Sequence, residues 1–294
     1  MRLLTYVDGG DYKPGVLRGE TVHSLHGLYP SVLALLEAGE RGLDAVRSAL
    51  EAGRLPAAGA VGDLRLGPPV RFPRKMLCVA GNYRDHILEG GRAITPEFTQ
   101  APWLFCVPPT TLLIGHREEI RLNPNHRKTD YEGELAIVIG RTAKRVKAER
   151  AHEYIAGYTI YNDVSERSPF MIEHVEQPRQ LSFWYGKSFD TYGPIGPHLV
   201  TADEVPDPQD LTIRVRVNGE ERQNCSTSQM IFNVFQLVEF LTSFLTLEPG
   251  DTIATGTPSG VGAATGKFLN VGDVVSIEID RLGVLENRVV VDTE

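Results

Sequence analysis

The most informative stretch of the sequence is Thr129-Asp130-Tyr131-Glu132-Gly133-Glu134-Leu135-Ala136-Ile137-Val138-Ile139-Gly140. From Leu135 onward it is apolar and β-branched and ends at a glycine, a pattern that predicts a buried strand. Because strand side chains alternate between two faces, Glu132 and Glu134 should point to the same side as Ala136 and Val138. Two carboxylates at the mouth of a buried strand repel each other and lose hydration, so they remain ionised only if a cation lies between them. The alternative is a solvated strand end whose acids face water.

Length and composition limit the class of protein. The 294 residues can hold one large domain or one large and one small domain, and 41% hydrophobic with 23% charged residues is ordinary for a soluble globular protein. A net charge of -8 argues against nucleic acid as the main partner. The sequence has no run of membrane-spanning length and no secretion signal, so we expect a cytoplasmic protein without a membrane partner. The sequence contains three widely spaced cysteines, Cys78, Cys106 and Cys225. Their odd number and their spacing favour inert thiols in a reducing compartment over disulfides or a zinc site.

Residues 1–71 predict a small N-terminal α+β domain. Strand-like pieces at 2–7 and 19–22 are separated by a turn-rich stretch that begins at Asp8. Helical patterns follow at 31–38 and 43–52, each stopped by a glycine, and the Pro/Gly/Ala-rich residues 55–70 have the composition of a linker. We therefore place the candidate chemistry in residues 72–294.

His86 and Glu89 form a candidate catalytic pair. They are three residues apart in a short helical segment that ends at two glycines, so they would share one helix face. A carboxylate beside an imidazole fixes its tautomer and raises its basicity, which suits the activation of water. A surface His–Glu pair would have the same spacing.

Asp163 lies near the end of another strand-like segment and could join Glu132 and Glu134 in an all-oxygen metal site. Three carboxylates without a neighbouring His or Cys favour a hard cation, Mg²⁺ first and Mn²⁺ or Ca²⁺ next, over zinc. Three protein ligands also leave positions open for water or a chelating substrate.

Three further features are candidates for binding or packing. Lys187 follows an aromatic patch and would neutralise an enolate or bind a carboxylate, although a solvated lysine is the alternative. Residues 230–247 predict one long amphipathic helix, with Ser228 as a possible N-cap. The glycine-rich residues 256–262 are neither a Walker loop nor a dinucleotide fingerprint, so their amides would approach an anion unless the loop is simply mobile.

Six motifs in a fixed order connect these candidates. They are Gly81-Asn82-Tyr83-x-x-His86-x-x-Glu89, Asp130-Tyr131-Glu132-Gly133-Glu134-Leu135, Asn162-Asp163-Val164, Gly186-Lys187-Ser188-Phe189-Asp190, Val217-Asn218-Gly219-Glu220 and Thr255-Gly256-Thr257-Pro258-x-Gly260-Val261-Gly262. With them, the sequence from about residue 73 onward strongly resembles the fumarylacetoacetate hydrolase family. The resemblance implies a mostly β protein with α/β elements, in which a mixed β-sandwich roll carries the catalysis beside a small N-terminal domain. It also implies a homodimer.

The resemblance further implies roles for individual residues. Glu132, Glu134 and Asp163 would bind Mg²⁺ or Mn²⁺. His86 with Glu89 would activate water, and Lys187 would stabilise the anion. Substrate contacts would come from a third group, namely Tyr83, Arg84, Arg167, Phe170, Gly256 and Thr257.

Two positions depart from the family pattern. Val107 stands where many relatives carry a lysine, and Phe170 stands where they carry a glutamine, if Arg167 aligns with the family arginine. Losing a cation and an amide while gaining apolar surface predicts a bulkier or more apolar acyl group than that of the small-diacid members.

The sequence therefore predicts a metal-dependent hydrolase that cleaves a C–C bond in a diketo acid or acylpyruvate-type substrate, in the catabolism of aromatic compounds or sugar acids. A decarboxylase of a β-keto diacid and an isomerase of a hydroxydienoate are alternatives on the same site. A metal-binding protein without turnover is the alternative from another class.

Overall fold

The structure, a computed structural model, describes residues 1–168 and 184–293. The larger sheet contains β1 (Arg2–Asp8), β2 (Asp11–Arg18), β3 (Thr21–Ser24), β4 (Ala57–Ala60), β5 (Leu66–Gly67), β6 (Met76–Ala80), β7 (Trp103–Cys106), β8 (Leu113–Ile114), β11 (Gly133–Ile139), β12 (Ile155–Asn162), β14 (Gly193–Thr201) and β17 (Thr252–Ala254). The smaller sheet contains β9 (Ile120–Leu122), β15 (Thr212–Val217), β16 (Glu220–Ser226), β18 (Val274–Ile279) and β19 (Gly283–Val291). A separate pair is formed by β10 (Thr129–Asp130) and β13 (Ser165–Glu166).

The described helices are short and connect or cover the sheets. The α-helices are Val32–Glu37, Gly39–Glu51, Arg84–Glu89, Pro96–Gln100, Pro109–Leu112, Val234–Phe244 and Gly262–Thr265. The 3₁₀ helices are Val61–Asp63, Ala148–Tyr154, Ala202–Glu204 and Thr227–Gln229. In residues 1–168 and 184–293, no helix combines the length and the apolar character that crossing a membrane requires.

The predicted strand after Glu132 is the buried centre of the larger sheet. β11 pairs with β12 on one side and β17 on the other, and all seven of its residues are buried. The larger sheet is mixed, because β17 runs parallel to β6 and β8 runs parallel to β14. Leu135 and Ile137 of β11 pack with Val215 and Ile277 of the smaller sheet in one apolar core. The predicted class, a mostly β sandwich with α/β elements, is confirmed.

The first 71 residues continue the larger sheet. β1 pairs with β14, with Leu3 opposite Leu199. On the other face, Leu35 and Val46 of the first two helices pack against Val138. This region therefore covers one end of β11, while Glu132 and Glu134 lie at the other end. The predicted boundary at residues 71/72 stays a prediction.

Two predictions for this region were wrong in detail. The turn-rich stretch after Asp8 is a tight turn followed by β2, which forms despite Pro14 because β1 and β3 pair with it from both sides. The carbonyl of Pro14 still accepts a hydrogen bond of 2.9 Å from the Leu25 N–H. The predicted linker contains β4, which pairs with β3.

The prediction of one long helix over residues 230–247 was also wrong. The helix is Val234–Phe244, and its N-cap is Asn233, which forms a capping box with Gln236. Ser228 lies instead in the preceding 3₁₀ turn. The helix starts late because Asn82 accepts hydrogen bonds of 2.8 Å from the N–H groups of both residues 231 and 232, which holds that segment in a different conformation.

Candidate active site

The strand register brings Glu132, Glu134 and Asp163 together. Glu132 precedes β11, Glu134 lies in it, and Asp163 follows β12, whose Asn162 is paired with Gly133. The Asp163 N–H donates to the Glu132 carbonyl (2.9 Å), and the Glu132 N–H donates to Asn162 Oδ1 (3.0 Å). One carboxylate oxygen from each acid lies within 4.8 Å of the others, and all three side chains are buried. The predicted cluster is therefore present.

Two basic side chains contact this acid cluster. Nζ of Lys187 is 2.6 Å from Oε2 of Glu132 and 2.5 Å from Oδ2 of Asp163. The guanidinium of Arg167 contacts the other oxygen of Glu132 and donates a hydrogen bond of 3.2 Å to Oδ2 of Asp130. Glu132 is thus held between two cations, whereas Glu134 has neither as a hydrogen-bonding partner among the described residues.

The pKa values follow this arrangement. Burial raises the pKa of Glu134 well above its usual value, and the charges of Asp163 and Glu132 raise it further. Burial also raises the pKa of Asp163, to about 6, although Lys187 partly offsets it. Burial alone would raise the pKa of Glu132, but the charges of Lys187 and Arg167 outweigh it and lower this pKa to about 2. A further cation between the acids would favour the ionised forms of Glu134 and Asp163.

The residues present fit a hard divalent cation. The donor set is three carboxylates, which suit Mg²⁺, Mn²⁺ or Ca²⁺. The Cys78 thiol is buried near the acids, and burial followed by the charges of Asp163 and Glu134 raises its pKa well above the usual value. Among the described residues, the group whose ligand atoms lie close enough together to share one ion consists of Glu132, Glu134 and Asp163 without Cys78, so the candidate donors are oxygens.

His86 and Glu89 form the predicted pair on the Arg84–Glu89 helix. Nδ1 of His86 is 2.7 Å from Oε1 of Glu89. The second oxygen of Glu89 accepts a hydrogen bond of 2.7 Å from the Gly260 N–H. Both side chains are partly exposed, and both line the same cavity as the three acids. The carboxylate is therefore fixed from two sides and orients the imidazole.

The glycine-rich loop binds carboxylates that belong to the protein. The Gly256 N–H donates to Glu134 Oε2 (2.7 Å), and the Gly262 N–H donates to Asp130 Oδ1 (2.5 Å). Gly260 has φ +108°, and a Cβ there would lie 2.1 Å from the carbonyl oxygen of Arg222, so only glycine fits. The amides do approach anions, as the sequence predicted, but these anions are the carboxylates of Glu134 and Asp130 in the candidate site.

The cavity has a volume of about 300 Å³ and two kinds of wall. Its charged wall consists of the acid cluster with Arg167, Lys187, His86 and Glu89. Its apolar wall includes Phe98, Trp103 and Phe105. Arg92 also lines the cavity. Such a combination suits a small acid with an apolar portion.

The remaining predicted substrate contacts do not all line the cavity. Thr257 lines the cavity, and its hydroxyl donates to the Gly133 carbonyl (3.0 Å). Tyr83 is only 1% exposed and Arg84 is exposed, and neither belongs to the cavity wall. Gly256 acts through its contact with Glu134 and does not line the cavity either. Phe170 lies outside the described residues.

Val107 does not face the cavity. It is 4% exposed and packs among apolar side chains that include Met76, Cys78 and Leu112. The loss of a lysine at this position therefore removes no cation from the cavity wall as described.

Asp130 is a site residue that the sequence analysis missed. It is fully buried, contacts Arg167, and accepts hydrogen bonds from the N–H groups of Gly262 and Ala263. The available signal was its spacing of two residues from Glu132 and four from Glu134.

Comparisons with known proteins find one matching family model and several similar chains. The family model described as fumarylacetoacetate (FAA) hydrolase C-terminal matches residues 75–290. The mitochondrial oxaloacetate tautomerase fahd2 of Xenopus laevis is 39% identical over 257 residues, which are 87% of this chain and 77% of that protein. The crystal structure of maleylpyruvate hydrolase from Sphingobium sp. SYK-6, with manganese(II) and pyruvate, has a TM-score of 0.81 at 27% identity and covers 100% of both chains. The 5-carboxymethyl-2-hydroxymuconate delta-isomerase of Mycobacterium smegmatis has a TM-score of 0.75 at 33% identity, also with 100% of both chains covered.

Proposed function

The chain belongs to the fumarylacetoacetate hydrolase family, and from this we propose that it is a divalent-metal-dependent hydrolase that cleaves a C–C bond in a diketo acid or acylpyruvate-type substrate. One observation carries the proposal. The His86–Glu89 pair and the three-carboxylate cluster line the same cavity, so a base and a cation site would act on one bound molecule.

Glu132, Glu134 and Asp163 would hold the metal, with Mg²⁺ as the first choice and Mn²⁺ or Ca²⁺ as alternatives. When bound, such an ion supplies a Lewis acid for the oxygens of an enolisable substrate. Arg167 and Thr257, which line the cavity beside the acids, would contact the substrate.

His86 would act as the general base. With Nδ1 bonded to Glu89, the proton of neutral imidazole resides on Nδ1, and Nε2 is free to take a proton from water. The oxygen of that water adds to the acyl carbonyl, and the C–C bond then breaks with its electron pair moving into the enolate. The proton held by His86 passes to the enolate carbon, so the products are two carboxylic acids. Lys187 is positively charged and buried beside Glu132 and Asp163, where it would stabilise the developing negative charge.

A second candidate is a tautomerase or isomerase. The similarity to an oxaloacetate tautomerase and to a delta-isomerase favours it, since both reactions need only proton transfer to and from carbon next to a carbonyl group. His86 could perform that transfer without adding water. Decarboxylation of a β-keto diacid would pass through the same enolate. A binding protein without turnover is less well supported, because the predicted ligands and the predicted base are all present in one cavity.

The finer properties of the sequence-based prediction remain part of this proposal. We propose a cytoplasmic homodimer with a small domain formed by residues 1–71 and a bulkier acyl group than in small-diacid relatives. Light scattering after size-exclusion chromatography would measure the oligomeric state. Conversion of short diacids such as oxaloacetate alone would contradict the bulkier acyl group.

A substrate panel tests the function directly. Acylpyruvates, diketo acids, a hydroxydienoate and oxaloacetate would be incubated with the protein and Mg²⁺, and the products identified by mass. Hydrolysis gives two acids, decarboxylation gives carbon dioxide, and isomerisation or tautomerisation leaves the mass unchanged.

Replacing the base provides the matched test. His86→Ala should lower the hydrolysis rate by about 10²- to 10⁴-fold while calorimetry shows unchanged Mg²⁺ affinity. His152→Ala, an exposed histidine outside this cavity, should keep the full rate. A full hydrolytic rate in His86→Ala would refute the assignment of His86.

A further inference from the structure

Gln223 is a buried glutamine that reaches from the smaller sheet to the start of β11. It lies in β16, is only 1% exposed and does not belong to the cavity wall as described. Its Oε1 accepts a hydrogen bond of 3.1 Å from the N–H of Gly133, the first residue of β11. Its Nε2 donates to Oγ1 of Thr257 (2.9 Å) and to the Pro258 carbonyl (2.7 Å). One side chain therefore joins β11 to the glycine-rich loop.

These hydrogen bonds form a closed ring. The hydroxyl of Thr257, which accepts from Gln223, donates in turn to the Gly133 carbonyl (3.0 Å). The orientation of the Gln223 amide is fixed, because only its oxygen can accept from an N–H group and only its NH₂ group can donate to a carbonyl. The bonded N–H of Gly133 belongs to the peptide after Glu132, and its bonded C=O belongs to the peptide before Glu134. The ring therefore fixes both peptides that connect these two acids, and each bond in it polarises the next.

The two sheets are in close contact at this ring. A Cβ at Gly133 would lie 2.4 Å from Cγ2 of Val215 in the smaller sheet, so the position leaves no room for a side chain. The loop that Gln223 holds also binds one of the acids directly, since the Gly256 N–H donates to Oε2 of Glu134 (2.7 Å). Gln223 is therefore connected to the acid cluster by two routes, one through the peptides of β11 and one through the loop.

We propose that Gln223 is a positioning residue that holds Glu132 and Glu134 at the spacing a divalent cation requires. Its hydrogen bonds go to backbone groups and to a hydroxyl rather than to the carboxylates, so it acts through the residues that carry them. Without the ring, the buried Gly133 N–H would lose its partner, and the segment would shift until this group found another. The two carboxylates would then converge less well on the ion. This inference rests on the proposed function, because it concerns the cation site of the same cavity.

Binding of Mg²⁺ alone tests this role without turnover. Gln223→Met keeps the length of the side chain and removes its hydrogen bonds, so calorimetry should show Mg²⁺ binding weaker by about 10- to 100-fold. Gln229→Met, the same change at an exposed glutamine outside the cavity, is the matched control and should keep the parent affinity. Thr257→Val opens the ring at its hydroxyl and should also weaken binding, whereas Thr257→Ser should weaken it less. In the double variant Gln223→Met/Thr257→Val the two losses should not add, because both changes open the same ring.

Amide hydrogen exchange in EDTA tests the same role without metal. In Gln223→Met, the Gly256 N–H, whose own hydrogen bond goes to Glu134, should exchange about tenfold faster, because the loop loses a hydrogen bond that anchors it. The amide of Val46 lies in the Gly39–Glu51 helix, which covers the other end of β11. It should exchange at the parent rate, which would show that the loosening is local.

The outcomes separate the two proposals. An unchanged Mg²⁺ affinity in Gln223→Met, or losses that add in the double variant, would overturn the positioning role even if acylpyruvates are hydrolysed. If the parent protein binds no Mg²⁺, the metal-dependent function fails alone, and the exchange of the Gly256 N–H decides on Gln223. Faster exchange in Gln223→Met then supports the positioning role, and an unchanged rate overturns it. If Gln223→Met does not fold, Thr257→Val opens the same ring and supplies both comparisons.

Discussion

The backbone N–H of Gly260 donates a hydrogen bond of 2.7 Å to Oε2 of Glu89, and this contact joins the glycine-rich loop to the helix that carries the candidate base. The other oxygen of Glu89 lies 2.7 Å from Nδ1 of His86. The carboxylate therefore cannot rotate freely, and the direction of the imidazole depends on a loop that is distant in sequence.

Replacing Glu89 with glutamine should reverse the tautomer of His86. The amide oxygen would keep the Gly260 N–H, so its NH₂ group would face Nδ1 and force the proton onto Nε2. We expect kcat/KM to fall by about 10²- to 10⁴-fold, because Nε2 would no longer accept a proton from water. Calorimetry should find the Mg²⁺ affinity unchanged. Glu97→Gln, an exposed acid on the following helix, is the control, and equal rates in both variants would contradict this role.

Replacing Glu134 with glutamine should abolish stabilisation by metal without harming the metal-free fold. Burial and the charges of Asp163 and Glu132 raise the pKa of Glu134, so its ionised form opposes folding at neutral pH. The variant should keep the Gly256 hydrogen bond and have a Tm no lower than the parent in EDTA. Thermal denaturation with added Mg²⁺ should raise the Tm of the parent only. A similar rise in the variant would exclude Glu134 as a ligand.

Replacing Lys187 with methionine should destabilise the protein most strongly in EDTA. Removal of the ammonium group leaves Glu132 and Asp163 buried without their shared cation, at a cost of about 3 to 5 kcal/mol. Because Mg²⁺ would supply positive charge at the same acids, the loss in free energy of unfolding should be smaller with the ion than without it. Urea denaturation measures both values, with exposed Lys147→Met as the control. The same loss in both conditions would argue that the acids do not bind the ion.

Acid should destabilise the protein through His198. Burial first, and the neighbouring Arg2 and His116 next, lower the pKa of His198 to about 4. An imidazole in the unfolded chain has its ordinary pKa of 6.5, so between pH 6.5 and 4 only the unfolded state takes up the proton. The free energy of unfolding should therefore fall by about 2 kcal/mol between pH 7 and pH 5 through this residue alone.

The variant His198→Gln should reduce that pH dependence. Urea denaturation at pH 7 and pH 5 would measure how far the free energy of unfolding falls between them. In the exposed control His152→Gln this fall should be the same as in the parent protein. His116 adds a second contribution of the same sign, because burial lowers its pKa to about 4 as well. If the free energy of unfolding of His198→Gln falls as much between pH 7 and pH 5 as that of the parent, His198 is already protonated in the folded state at pH 5.

The sequence predicted the centre of the fold better than its connections. Leu135 to Ile139 are apolar on both faces, so their burial follows from local composition, and the spacing of Glu132 and Glu134 determines that both point into one site. The start of the Val234–Phe244 helix could not be predicted locally, because it depends on Asn82, about 150 residues earlier.

The pairing of β1 with β14 makes the small N-terminal region hard to remove. A chain cut at residue 72 would lose β1 and expose the backbone of β14 around Leu199, together with the apolar side chains of β11 and β12 that the first two helices cover. An uncovered strand edge beside bare apolar surface is a template for pairing with another molecule. Such a fragment would keep every acid of the candidate metal site and still be prone to aggregate, so solubility rather than chemistry would limit a shortened chain.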